Sequence, residues 1–279
     1  MIRRSWSRAS SCPNWPDRPG MERIGDIAVR VTGEGPTVLF LHGIGGNSLN
    51  WRAQIDEFGR DFKAAAWDAR GYGESGGAVR CFEQFADDAA AVIAALGSPA
   101  HVVGLSMGGR IALDLVRRHR SLVRSLTLAN TSAGSSETAS PEKVEAFLAL
   151  RLKPLVEDGL TPADIAERIV EGVEGPNISP AAREALIDSH RRLHKDGYIA
   201  AMRAVTGFTA FPDFAAIDVP TLVLTASEDR VAPPAHARLM AGRIPGARFA
   251  EIEGSGHISN IEAPEAFNAA LRDFLEAHG

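Results

Sequence analysis

Residues 101–113 have the sequence H-V-V-G-L-S-M-G-G-R-I-A-L, in which Ser106 separates two segments of different character. The apolar run at 101–105 is typical of a strand covered on both faces, and residues 107–118 are predicted to form a helix. Glycines stand two residues before and two residues after Ser106, in the pattern G-x-S-x-G. Together these features predict a sharp strand–turn–helix junction that lifts the serine hydroxyl above the carboxyl edge of a sheet.

The same alternation of apolar runs and helical segments extends in both directions from this junction. Besides 101–105, strands are predicted at 24–31 (a strand or a hairpin), 37–41, 62–67, 122–129, 220–225 and 248–252. Besides 107–118, helices are predicted at 48–58, where Ser48 is the candidate cap, and at 82–96, 235–243 and 264–277. Strands that alternate with helices indicate βαβ units. The predicted fold class is therefore α/β, with a doubly wound, mostly parallel sheet.

Residues 132–212 break this rhythm, because they contain no strong strand signal. Helical stretches are predicted instead at 142–157, 162–171, 180–195 and 197–206. We interpret this region as an inserted helical cap between two core segments, 21–131 and 213–279. Residues 1–20 are rich in Arg, Ser and Pro and lack a continuous apolar run. They are predicted to be a disordered tail, or an extension upstream of a start at Met21.

Composition excludes several classes of partner. The formal net charge of −5 offers no attraction for nucleic acid or for an anionic membrane surface, and no apolar run approaches the roughly 18 residues of a membrane helix. The two cysteines, Cys12 and Cys81, form neither a disulfide framework nor a zinc pattern, so a cytoplasmic location is expected. No nucleotide-binding fingerprint follows the first parallel strand, and no metal or other cofactor is expected. Homo-oligomerisation is left open.

A serine hydroxyl is a weak nucleophile that needs a positioned base and an acid behind that base. His257 is the candidate base, because it lies in the loop G-S-G-H between the last predicted strand and the last predicted helix. Two acidic residues, Glu228 and Asp229, follow the preceding predicted strand, and either could be the acid that orients the base. All these positions fall at carboxyl ends of strands. The order Ser106, acid, base is the one expected of this strand–turn–helix motif.

Two backbone amides are the candidate donors to a carbonyl oxygen that becomes negatively charged during acyl transfer. One is the amide of Met107, directly after the serine. The other is the amide of Ile44, in the loop that follows the strand predicted at 37–41. His42, in the same loop, is interpreted as a residue that organises the loop rather than as a second base.

Taken together, the motifs resemble those of the α/β-hydrolase superfamily over about residues 24–278, and most closely those of 3-oxoadipate enol-lactonases and related esterases. The matching strings are H-G-I-G-G at 42–46, D-A-R-G-Y-G-E-S at 68–75, G-L-S-M-G-G at 104–109, L-A-N-T at 128–131 and G-S-G-H-I-S-N-I-E-A-P-E-A-F-N at 254–268. The resemblance implies a catalytic triad of Ser106, Asp229 and His257. It favours Asp229 over Glu228 through the spacing to Pro233.

The expected activity is hydrolysis of a small-molecule carboxylic ester or lactone through an acyl-enzyme. Two alternatives are a carbon–carbon bond hydrolase of a dienone acid and a ligand receptor that retains the triad. An enol-lactone acid carries a carboxylate, for which an arginine fork at Arg70 or Arg110 would be suited. Salt bridges to core acids are the competing interpretation of both arginines.

Overall fold

A computed structural model describes residues 20–132, 140–208, 210 and 212–278. Eight strands in these ranges form one sheet in the order β1-β2-β4-β3-β5-β6-β7-β8. The strands are β1 (Met21–Ile24), β2 (Ile27–Thr32), β3 (Thr37–Leu41), β4 (Lys63–Asp68), β5 (Ala100–Leu105), β6 (Val123–Ala129), β7 (Thr221–Ala226) and β8 (Arg248–Ile252). β1 and β2 pair antiparallel as a hairpin, β2 joins β4 antiparallel, and the remaining pairs are parallel. The prediction of a mostly parallel sheet is confirmed.

Helices cover both faces of the sheet, which is why its central strands are continuous apolar runs. Successive residues of a strand point to opposite faces, and in β5 Val102 belongs to one buried cluster while Val103 belongs to the other. The first cluster includes Phe85 and Ile111 from two helices on one face, and the second includes Phe274 from the other face. Burial of both faces removes the alternation of polar and apolar residues that a half-exposed strand would show.

Ten α-helices fall within the described ranges. They are α1 (Arg52–Phe58), α2 (Glu83–Leu96), α3 (Met107–His119), α4 (Pro141–Val156), α5 (Pro162–Val173), α6 (Pro180–Arg191), α7 (Lys195–Gly207), α8 (Pro234–Arg243), α9 (Ser259–Glu262) and α10 (Pro264–Glu276). Helices α4–α7, which we call the cap helices, lie between β6 and β7 in the chain, where the helical insertion was predicted. Of the predicted tail, only Gly20 lies within the described residues. None of the described helices is both long enough and apolar enough to span a bilayer.

The residue predicted to form the N-terminal cap of the helix at 48–58 was wrong. A short 3₁₀ turn, Ser48–Trp51, precedes α1, and its cap is Asn47, whose side chain accepts a hydrogen bond from the Leu49 amide at 2.9 Å. Ser48 is bonded to a buried residue of β4 instead. Its amide donates to Asp68 Oδ1 at 2.7 Å, so Ser48 sits one position inside the turn.

His101 is a buried histidine of β5, and it makes the stability of the fold depend on pH. Its Nδ1 lies 2.7 Å from Ser125 Oγ, and burial, together with the charge of Arg124, lowers its pKa to about 4. The pKa of a histidine side chain in an unfolded chain is about 6.5. Between these two values the unfolded chain binds the proton and the folded chain does not. Stability therefore falls as the pH falls, by up to about 1.4 kcal/mol per pH unit for this group.

We expect His101→Gln to reduce the slope of the unfolding free energy against pH between about 6.5 and 4. Urea titrations at several pH values would measure that slope. His236→Gln, at an exposed position of α8, is the matched control, because the same substitution there removes no buried imidazole. Equal slopes for His101→Gln and the wild type would contradict this account.

Candidate active site

Ser106 occupies a sharp turn between β5 and α3. Its backbone has φ 54° and ψ −115°, a conformation that is strained for a residue with a side chain. Its amide donates to the Ala129 carbonyl at 3.0 Å, which ties the turn to the neighbouring strand β6. A Cβ on Gly104 would lie 2.2 Å from the Gly108 oxygen, and a Cβ on Gly108 would lie 2.0 Å from the Leu41 oxygen. Only glycines allow this close packing of two strands and a helix around the serine.

Gly108→Ala is expected to destabilise the protein by about 1–3 kcal/mol, because the added methyl group would collide with the backbone of β3, which cannot move away without breaking the sheet. Urea unfolding would measure the loss. Gly242→Ala is the control, since a Cβ at that position of α8 meets nothing within 4 Å. There we expect no loss, and a gain of up to about 1 kcal/mol from helix propensity. Equal stability of Gly108→Ala and the wild type would contradict the packing argument.

The structure brings the predicted serine, histidine and aspartate into one chain of hydrogen bonds. His257 Nε2 lies 2.9 Å from Ser106 Oγ, and His257 Nδ1 lies 2.9 Å and 3.0 Å from the two carboxylate oxygens of Asp229. The contact between Ser106 and His257 spans 151 positions of the chain. It forms because β5, β6, β7 and β8 are parallel neighbours, so their carboxyl ends meet at one edge of the sheet.

Asp229 is buried among hydrogen-bond donors. The amides of Val231 and Ala232 each donate to Oδ1 at 2.8 Å, and Asn130 Nδ2 donates to Oδ2 at 3.0 Å. Burial by itself would raise the pKa of Asp229, but hydrogen bonds from His257, Ala232 and Asn130 outweigh burial and lower the pKa below its usual value. The carboxylate thus stays ionised and can accept a hydrogen bond from His257 Nδ1.

Glu228, the competing acid in the sequence, has a different environment. Its side chain is exposed, and its Oε1 accepts a hydrogen bond from the Ser227 hydroxyl at 3.2 Å. The acid that faces the imidazole is therefore Asp229.

Asn130 is a residue of this site that sequence reasoning missed. It follows β6 with φ 45°, and its Oδ1 accepts a hydrogen bond from Ser259 Oγ at 2.5 Å while its amide nitrogen holds Asp229. The motif L-A-N-T contained it, but no role was assigned to it. A polar residue at the carboxyl end of the strand between β5 and β7 was the available signal.

The loop after β3 packs directly against Ser106. A Cβ on Gly43 would lie 3.2 Å from Ser106 Cβ. His42, which is buried, holds this loop in place: its Nε2 accepts from the Ala69 amide at 3.0 Å and its Nδ1 donates to the Gly43 carbonyl at 2.8 Å. Burial lowers the pKa of His42, so the imidazole is neutral at pH 7. These are the contacts of a residue that organises the loop, as predicted, rather than those of a second base.

A cavity of about 480 Å³ lies in front of Ser106 and His257, between the sheet edge and the cap helices α4 and α7. Ile44 and Met107, the predicted amide donors, both line it. Other side chains that line it are Arg110, Lys143, Val144, Phe147, Met202 and Val231. Phe147 and Val231 are 45% and 47% exposed, so the mouth of the cavity has an apolar rim. In the described ranges no group of three or more His, Cys, Asp or Glu side chains is arranged to hold a metal ion.

The two arginines Arg70 and Arg110 have different environments in the structure. Arg70 donates to both carboxylate oxygens of Asp88, at 2.8 Å and 2.5 Å, and also contacts Asp26, so the salt-bridge interpretation is correct for it. Arg110 instead lines the cavity, and its Nη2 donates to the Phe208 carbonyl at 3.0 Å. Burial lowers the pKa of Arg110 to about 10, which leaves it charged at neutral pH.

Comparisons with known proteins show which proteins this chain resembles. A family model described as "Alpha/beta hydrolase family" matches residues 38–270. A putative carbamate hydrolase RutD of Agrobacterium fabrum is 28% identical over 90% of this chain and 97% of its own length. A 3-oxoadipate enol-lactonase of Acinetobacter baylyi is 29% identical over 86% of this chain and 89% of its own length. A thermophilic esterase from Thermogutta terrifontis superposes with a TM-score of 0.80 at 31% identity, covering 91% of this chain and 94% of that one.

Proposed function

The chain belongs to the alpha/beta hydrolase family, and we propose that within this family it is a serine hydrolase that cleaves a carboxylic ester or a small lactone through an acyl-enzyme. The observation that carries the proposal is the 2.9 Å contact between Ser106 Oγ and His257 Nε2, with Asp229 on the far side of the imidazole. This distance lies within the range needed for proton transfer. Ser106 is thereby the nucleophile, His257 the general base and Asp229 the residue that orients the base.

In the first half of the reaction, Ser106 Oγ attacks the carbonyl carbon of the substrate while His257 takes the hydroxyl proton. Negative charge then develops on the carbonyl oxygen, where the amides of Ile44 and Met107 stabilise it. His257 returns its proton to the leaving oxygen as the carbon–oxygen bond breaks. The products of this half are an alcohol and an ester of Ser106.

In the second half, water replaces the serine as the attacking group. His257 takes a proton from the water, the hydroxide adds to the acyl carbon, and the bond to Ser106 Oγ breaks with return of the proton to the serine. The carboxylic acid leaves and the enzyme is regenerated. When the substrate is a lactone, the alcohol and the acid stay in one molecule, so a single product forms.

The charge of the cavity supports a substrate of the enol-lactone type. Arg110 and Lys143 both line the cavity, and a carboxylate on the substrate would be attracted to them. Apolar side chains such as Val144 and Met202 make up much of the remaining wall and fit a short carbon chain. We therefore infer that a small anionic ester or lactone is preferred over a neutral one.

Acid quenching of the protein during turnover of p-nitrophenyl acetate tests the mechanism. We expect a burst of p-nitrophenol and an acetyl adduct on the peptide that contains Ser106. A panel of esters, lactones, carbamates and dienone acids, each with and without a carboxylate, then tests the substrate class. Turnover of dienone acids alone would favour the carbon–carbon hydrolase, and a single slow turnover with no steady state would favour the receptor. The proposal would be overturned if the protein showed neither turnover nor an adduct on Ser106.

A further inference from the structure

The loop that carries His257 is attached to the cap. We call residues 254–258 the histidine loop, and residues 173–177, at the end of α5 and just beyond it, the cap connection. The His257 amide donates to the Val173 carbonyl at 2.9 Å, and Asn177 Nδ2 donates to the Gly254 carbonyl at 3.0 Å. The backbone of the histidine is thus bonded to the cap rather than to the sheet that precedes it.

One carboxylate joins these two segments. Glu262, at the end of α9, accepts from the Gly175 amide at 3.0 Å and from the Gly256 amide at 2.9 Å through Oε2. Its Oε1 accepts from the Ile258 amide at 3.3 Å. The backbone amides of the residues before and after His257 therefore donate to the same carboxylate as the Gly175 amide of the cap connection. Hydrogen bonds to an ionised acceptor are about twice as strong as those between neutral groups.

Two glycines make this arrangement possible. A Cβ on Gly175 would lie 2.3 Å from the Gly256 nitrogen, and a Cβ on Gly256 would lie 2.3 Å from the Gly175 nitrogen. The two backbones are therefore in direct contact, with no room for a side chain between them. Only at this separation can both amides reach the same oxygen of Glu262.

The loop that carries Asp229 is attached at the same place. Arg230 Nη2 donates to the Glu171 carbonyl at 3.1 Å and to the Glu174 carbonyl at 3.0 Å. The base and the acid are thus both positioned against one short stretch of the cap.

We propose that Glu262 is a positioning residue for His257, which sets the position of the imidazole relative to Ser106 by anchoring the histidine loop on both sides to the cap connection. The inference rests on the proposed function, in which His257 is the base. Its physical basis is the steep dependence of proton transfer and attack on geometry, since a displacement of about 1 Å can reduce the rate by about 100-fold. Glu262 does not touch the reacting atoms, so its effect is transmitted through the backbone of the loop.

Glu262→Gln tests this inference, because glutamine keeps the size of the side chain but replaces one acceptor oxygen by an NH₂ group that would face a backbone amide. We expect kcat for p-nitrophenyl acetate to fall by about 10–100-fold, with KM changed by less than about threefold. The rate of Ser106 labelling by a fluorophosphonate should fall in parallel, since labelling needs the same base but not the same substrate contacts. Glu253→Gln, at an exposed position just before the histidine loop, is the matched control and should retain wild-type values.

Gly175→Ala is a second variant that keeps the glutamate but disturbs its contacts, since the added Cβ would lie 2.3 Å from the Gly256 nitrogen and 2.7 Å from Glu262 Oε2. The added methyl group forces the cap connection away from the histidine loop, so we expect the same selective loss of kcat. This variant also decides the question if Glu262→Gln does not fold.

The possible results distinguish a failure of the positioning role of Glu262 from a failure of the proposed serine hydrolase function. Wild-type kcat and labelling rate in a folded Glu262→Gln would overturn the positioning role, even if the melting temperature fell, because the residue would then be only structural. A rise in KM without a fall in kcat would also overturn it. If the wild-type protein itself shows neither labelling of Ser106 nor turnover, the proposed function has failed instead.

Discussion

Ser106→Ala is expected to lower kcat/KM for p-nitrophenyl acetate by at least about a thousandfold. The substitution removes the oxygen that lies 2.9 Å from His257 Nε2, and with it the proposed covalent pathway. The backbone amides proposed for the oxyanion would remain. Any residual rate would therefore come from direct attack of water on a bound substrate.

Ser121→Ala is the matched control for this measurement. Ser121 is exposed beyond the other end of α3, so the same chemical change at that site should leave the rate unchanged. Circular dichroism and thermal unfolding would establish that both variants are folded. A wild-type rate in folded Ser106→Ala would show that the nucleophile has been misassigned.

Asp229→Asn should also be strongly damaging, with an expected loss in kcat of about 10⁴-fold, the magnitude known for the equivalent change in a serine protease. Each group that contacts the carboxylate is a donor: His257 Nδ1, the amides of Val231 and Ala232, and the side-chain amide of Asn130. Asparagine has a single acceptor oxygen, so its NH₂ group must face one of these donors.

When that NH₂ group faces the imidazole, Nδ1 must accept, and the proton moves to Nε2. The nitrogen next to Ser106 is then already protonated and cannot act as a base. Glu228→Gln is the internal control, since it alters the exposed neighbour that was the competing acid. Steady-state kinetics of both variants measure the difference. A larger loss in Glu228→Gln than in Asp229→Asn would reverse the assignment of the acid.

Much of the core followed from local patterns. The apolar runs of β3 and β8 were predicted with the same bounds that the structure has, because each run is closed by turn-forming residues. The six strands before the cap helices and the two after them were also predicted in order, apart from the hairpin of β1 and β2, for which a strand or a hairpin was expected. Strands that are buried on both faces of the sheet consist of continuous apolar residues. Such apolar runs in the sequence therefore predict a sheet that is covered by helices on both sides.

Other features could not be predicted, because they depend on partners that are distant in the chain. Asn47 rather than Ser48 caps the turn before α1, since the Ser48 amide is bonded to Asp68, 20 positions away. Arg70 and Arg110 looked alike in the sequence, and only the positions of Asp88 and the cavity separate them.

The sequence by itself determined the fold class, the strand–turn–helix junction at Ser106 and the set of candidates at the carboxyl ends of the strands, because these depend on periodicity and on residues close in the chain. Tertiary structure alone decided that His257 faces Ser106 at 2.9 Å, that Asp229 rather than Glu228 faces the imidazole, and that Asn130 and Glu262 form hydrogen bonds with Asp229 and with the histidine loop. These contacts depend on the order of strands in the sheet and on the packing of the cap connection against the histidine loop. A hydrogen bond is directional and short-ranged, so no pattern of neighbouring residues specifies which distant groups will meet.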